Sequence, residues 1–205
     1  MSNTVKPSSS SQLHPGLPRR AFLRLGGLAL LGWCFPRGLL AASPPRRFLD
    51  PDRLTVPQLE ATRWKKLVVH HSATANGNAA IFDRHHRDRR RMEHGLAYHF
   101  IIGNGTNSRD GQIEVGPRWT AQLRGGHLRS LTLNEHSIGI CLVGNFEKTK
   151  PTPHQLAALL ELLQELHEPL LPHRPRVWLH RELPGERTVC PGRHFPARWL
   201  RERFA

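Results

Sequence analysis

Val177-Trp178-Leu179-His180-Arg181-Glu182-Leu183-Pro184-Gly185-Glu186-Arg187-Thr188-Val189-Cys190-Pro191-Gly192 is the stretch on which the reading turns. A short apolar run, expected as a strand over Val177–Leu179, delivers His180 at its tip. Pro184 and Gly185 then break the chain into a loop, and the loop returns to Cys190 between Val189 and Pro191. Imidazole and thiolate are both zinc donors, with metal distances of about 2.0–2.3 Å. The nine residues between His180 and Cys190 let a folded-back loop offer both to one ion. Two donors do not make a zinc site, so a third must come from elsewhere.

The best source of a third donor is Lys66-Leu67-Val68-Val69-His70-His71-Ser72-Ala73-Thr74. Leu67–Val69 reads as a buried strand. Neighbouring side chains on a strand point to opposite faces, so only one of His70 and His71 can readily meet His180 and Cys190. Further blocks stand between these two: Gly95-Leu96-Ala97-Tyr98-His99-Phe100-Ile101-Ile102, and Ser137-Ile138-Gly139-Ile140-Cys141-Leu142-Val143-Gly144-Asn145-Phe146. In that order, over about residues 64–200, the four blocks resemble the zinc N-acetylmuramoyl-L-alanine amidases, which include phage amidase lysozymes and peptidoglycan recognition proteins.

The resemblance implies a single α/β domain: a central mixed β-sheet flanked by helices. It implies that His70, His180 and Cys190 hold Zn2+, with His71 turned the other way. It assigns Tyr98, and Thr188 two residues before the cysteine, to assist at the developing oxyanion, and His127 to the wall of the substrate groove. Some relatives carry a glutamate base in the Ser-Ile-Gly-Ile block; that slot here holds Cys141, so the chain follows the tyrosine pattern. The implied activity is hydrolysis of the amide between N-acetylmuramic acid and L-alanine of peptidoglycan, with peptidoglycan or muropeptides as partners. The alternative is a non-catalytic peptidoglycan-binding module, typical of relatives that lack the cysteine. Two imidazoles and a thiolate leave zinc near +1, and a thiolate selects zinc over magnesium or manganese.

The net charge of +14 favours polyanions. Five cations and no acid lie in residues 1–43 (Lys6, Arg19, Arg20, Arg24, Arg37), leaving +9 for the rest. That basic surface suits contact with an anionic cell envelope. A nucleic-acid partner is not expected, because the arginine run Arg84, Arg87, Arg89, Arg90 and Arg91 has no aromatics interleaved for base stacking. Three cysteines do not make a disulfide framework, and Cys141, between Ile140 and Leu142, reads as a buried inert thiol. His-Glu-x-x-His, Cys-x-x-Cys, Gly-x-x-x-x-Gly-Lys and Gly-x-Ser-x-Gly are all missing from the sequence.

Residues 1–43 are expected to be a signal peptide. Pro18-Arg19-Arg20-Ala21-Phe22-Leu23-Arg24 precedes an apolar run over Leu25–Phe35, and Ala41-Ala42-Ser43 suits cleavage. The run is shorter than the roughly 20 residues a bilayer span needs. The paired arginines resemble a twin-arginine export signal, placing the mature protein in the periplasm or outside the cell. Residues 44–63 read as a lead-in and 64–205 as the amidase domain. Within the domain, a helix is expected over 78–92 with Ile81, Phe82, His85 and Met92 inward. A strand over Tyr98–Ile102 is followed by a hairpin partner over Gln112–Val115. Residues 117–136 read as an irregular loop. Thr152-Pro153-His154-Gln155 opens a leucine-faced helix running to about His167, and a terminal helix over Phe195–Phe204 turns Trp199 inward.

Overall fold

The computed structural model describes residues 47–204, so the export segment assigned to residues 1–43 lies outside the described residues. The apolar run Leu67–Val69 forms the middle of β1 (Lys66–His71), buried on both faces. β1 lies between β4 (Ser137–Leu142) and β5 (Arg176–Leu179), parallel to both. β2 (Phe100–Ile102) pairs parallel with β4 and antiparallel with β3 (Ile113–Val115). The order β3-β2-β4-β1-β5 makes a mixed sheet, as expected. Both faces are covered, which is why its strands read as continuous apolar runs rather than alternating ones.

Strand alternation sorts the chemistry between the faces. Leu67 and Val69 of β1 join Ile138 and Ile140 of β4 in the main core, under α4 (Pro153–Glu165). Val68, His70, Gly139 and Cys141 project from the opposite face, with His70 directly beside Cys141 in register. Burial of Leu159, Leu162 and Leu163 on α4 contributes about 1.5–3 kcal/mol each. Thr152 and Gln155 form the expected capping box. Gln155 also donates to the carbonyls of Ile102 and Val143, tying the helix start to the ends of β2 and β4.

The second face is covered by α1 (Ala79–Arg90), whose Phe82 packs with Leu96, Ile101, Cys141 and Val143. Asn78 caps its start by accepting from the Ile81 amide. Of the expected inward set Phe82 is buried and Met92 half-buried, whereas His85 is exposed and Ile81 is 45% exposed at the rim of a cleft. β2 begins at Phe100 rather than Tyr98 because the His99 ring accepts the Gly139 amide at 3.0 Å, a donor that a regular ladder would give to backbone. The expected loop at 117–136 contains α2 (Pro117–Thr120) and α3 (Leu131–Glu135), each too short to show a helical period in sequence. After α4 the chain continues in a π-helical turn over Leu166–Leu170. In α5 (Ala197–Phe204) Leu200 takes the inward place and Trp199 is half-buried.

The lead-in packs onto the same core. Leu49 and Leu54 are buried in it, Glu161 accepts from the Phe48 and Leu49 amides, and Trp119 donates to the Leu54 carbonyl.

Candidate metal centre

β1 ends in His70 and His71, β5 runs into a 3-10 turn that starts at His180, and the loop beyond it brings back Cys190. One donor atom from each of His70, His180 and Cys190 lies within 4.8 Å of the others. The His70 Nδ1 to Cys190 Sγ distance is 3.7 Å. A tetrahedral ion with legs of about 2.1 and 2.3 Å separates nitrogen and sulfur by about 3.6 Å. The residues therefore fit a zinc ion, with the nitrogen–sulfur edge already at its span. Among the described residues, this is the one such group of histidine, cysteine and carboxylate donors.

Electrostatics suit a cation. Burial holds His70 well below the usual histidine value, and His127 and His180 push in the same direction, so its ring is neutral. Burial pushes the Cys190 thiol up to about 12, partly offset by the His71 amide, which donates to its sulfur at 3.4 Å. A bound cation would have to displace that proton, coupling metal uptake to proton release. His71 turns to the other side of the strand, where its Nδ1 accepts the Phe146 amide.

The remaining expected residues stand around His70. The Tyr98 ring lies 5.3 Å from the His70 ring, centroid to centroid, and the His127 ring 4.8 Å. Burial raises Tyr98 well above the usual phenol value, and the neighbouring thiol of Cys141 adds to this, so it is a neutral donor. Cys141 is buried and protonated for the same reason. His127 Nδ1 is 3.0 Å from His70 Nε2. No group bonds its Nε2 in good geometry, although the Ser137 carbonyl nearby favours a proton on the ring. His127 and Tyr98 line a cleft of about 570 Å³ whose rim carries His85, His86 and Arg90. Thr188 accepts the Cys190 amide at 3.1 Å and so shapes the ligand loop.

The family model for N-acetylmuramoyl-L-alanine amidase (Amidase_2) matches residues 60–193, a span that contains every one of these side chains. The chain belongs to that amidase family. A peptidoglycan-recognition protein of Drosophila simulans is 30% identical over 191 residues, covering 84% of this chain and 88% of that protein. The amidase LysC of Clostridium intestinale shares the fold with a TM-score of 0.57 and 26% identity over 71% of this chain and 88% of its own. Peptidoglycan recognition protein LE, solved with monomeric diaminopimelic acid-type peptidoglycan, gives a TM-score of 0.55 and 26% identity, covering 79% and 88%.

One side chain of this amidase-family site escaped the sequence reading. Glu186 lies between the turn breakers and Thr188, where a loop acid is ordinarily solvent-facing. Its side chain is 2% exposed, with Oε2 3.0 Å from His180 Nε2. Its Oε1 accepts from the Arg129 and Ser130 amides at 3.0 and 3.2 Å. Burial alone would raise its carboxyl, but the His180 contact and the two amides more than offset this and hold it below its usual value. No signal in the sequence separates it from an exposed loop acid.

Proposed function

We propose that the protein is an exported zinc hydrolase that cleaves the amide between the lactyl group of N-acetylmuramic acid and L-alanine of peptidoglycan. The observation that carries the reading is the convergence of His70, His180 and Cys190, with Cys190 retained as the anionic donor. These three residues would hold zinc, whose Lewis acidity activates water near neutral pH and polarises a carbonyl. Tyr98, a neutral phenol at the cleft, donates to the oxyanion that develops on the scissile carbonyl. Thr188 keeps the Cys190 loop in shape, and its own proton remains free to donate. His127 bonds the far nitrogen of His70 and closes the cleft wall. The cleft receives the muropeptide, and the Arg90 guanidinium at its rim meets carboxylates of the stem.

Purified protein incubated with peptidoglycan tests the reading. Release of free stem peptides that stops with a chelator and returns with zinc is the expected result. Retention on peptidoglycan with no peptide release would make the chain a binding module instead. Export by a twin-arginine route is proposed on the Arg19-Arg20 pair and the apolar run behind it. Changing both arginines to lysine should hold the protein in the cytoplasm, and undiminished export would refute that route.

A further inference from the structure

We infer that Glu186 is a positioning residue that fixes the tautomer of His180, so that Nδ1 is left free to bind the metal. The inference rests on the zinc reading. A neutral imidazole carries one proton and one lone pair, and only the nitrogen with the lone pair can coordinate. An ionised carboxylate accepts and does not donate. At 3.0 Å from Glu186 Oε2, His180 Nε2 must carry the proton. The carboxylate cannot swing away, because the Arg129 and Ser130 amides grip its other oxygen and the side chain is almost fully enclosed. Glu186 thereby ties the ligand loop to the segment directly after His127. Partners of this kind set the basicity and direction of a ligating ring, and their loss typically costs 10–100-fold in metal affinity.

Glu186→Gln separates positioning from packing. Its carbonyl oxygen keeps the Arg129 and Ser130 amides at 3.0 and 3.2 Å and gives up only the longer, 3.2 Å branch of the Arg129 bond to Oε2, while its NH2 group faces His180 Nε2 and asks that nitrogen to accept. The proton then moves to Nδ1, the nitrogen required for coordination.

The experiment measures zinc affinity of wild type and E186Q by competition with a chromophoric chelator. It adds metal-free melting temperatures and the imidazole 15N shifts of metal-free protein. Expected results are 10–100-fold weaker zinc binding in E186Q with little change in metal-free melting. In wild type, His180 should show a protonated Nε2 and an unprotonated Nδ1, a pattern reversed in E186Q. Equal zinc affinity in the two proteins overturns the inference, as does a wild-type His180 protonated on Nδ1. The wild-type spectrum decides the matter even if E186Q fails to fold. A wild-type chain that takes up no zinc sinks the zinc reading, and the inference with it; uptake with equal affinity sinks the inference alone.

Discussion

Gly139→Ala should destabilise the protein far more than a methyl group on a strand ordinarily does. A Cβ built on Gly139 would lie 2.3 Å from His127 Cδ2 and 2.6 Å from its Cγ. Gly125 also borders this ring, since a Cβ added there would lie 2.6 Å from its Cδ2 and Nε2. His127 thus occupies space that side chains at Gly139 and Gly125 would need. To admit the methyl it must move by roughly 1 Å, given ordinary carbon contacts near 3.5 Å. That breaks its 3.0 Å contact with His70 Nε2. Overpacking costs about 1–3 kcal/mol, and a buried polar group left without its partner about 1–3 kcal/mol more. A loss of about 3 kcal/mol lowers the melting midpoint of a domain this size by roughly 6–12 °C. Urea unfolding of metal-free protein measures it. In a His127→Ala background the ring is gone, and the same methyl should cost less than about 0.5 kcal/mol. A coupling of about 2–3 kcal/mol in the double-mutant cycle is therefore expected. Additivity of the two substitutions within about 0.5 kcal/mol would refute the packing argument.

Three further outcomes follow from the site. Zinc at a thousand times its Kd should stabilise wild type by about 4.1 kcal/mol, a melting rise of roughly 8–16 °C; Cys190→Ser should lose most of that rise and all peptide release, and a full rise in the variant would remove the sulfur from the metal centre. Tyr98→Phe deletes the hydroxyl of the chain's single tyrosine; zinc content should be unchanged while kcat falls about 10²-fold, and normal turnover would reduce Tyr98 to scaffold. His99 reports on pH: burial, with help from His127, keeps it well below the usual histidine value, and its ring nitrogens already face the Gly139 amide and the Leu123 carbonyl. Its folded pKa is depressed, so the unfolded chain takes up the proton first. The stability contributed by the neutral ring is present above about pH 6.5 and is lost as pH falls, at about 1.4 kcal/mol per unit for each such group. Urea midpoints that stay level from pH 7 to pH 5 would contradict this.

The buried strands and the parting of the two histidines were legible from their apolar run and from strand alternation, whereas the order of the strands in the sheet was not. A run such as Leu67–Val69 that is apolar on every residue marks a strand covered on two sides, and alternation then sends His70 and His71 apart. The α4 start was legible because Thr152, Pro153 and Gln155 each have a separate chemical reason to be there. Registers of a few residues were not legible. Ile81 and Phe82 are both apolar, and only the packing of α1 against Leu96 and Ile101 decides between them. At the site, the donors carried their own chemistry in sequence, whereas Glu186 did not. Its role comes from burial and from two backbone amides more than fifty residues away in the chain, and loop sequence encodes neither. His127 lines the cleft beside Tyr98. Its grip on His70 depends on the room left by Gly139 and Gly125, which reads in sequence only as two small residues.

The sheet's first strand to be synthesised sits inside it, and both neighbours come much later. β1 finds its partners only once residues 137–142 and then 176–179 exist. At ribosomal speeds of about 5–20 residues per second, the strand ending in His71 waits roughly 4–14 s for its first partner and roughly 5–20 s for its second. Pairings so distant along the chain also close slowly. The nascent polypeptide therefore carries an unpartnered, sticky segment for about a third of its synthesis and brings its candidate metal donors together only when Cys190 emerges. Until residue 190 emerges, the chain has no way to gather its three candidate donors in one place, so uptake of an ion can only follow folding of nearly the whole domain.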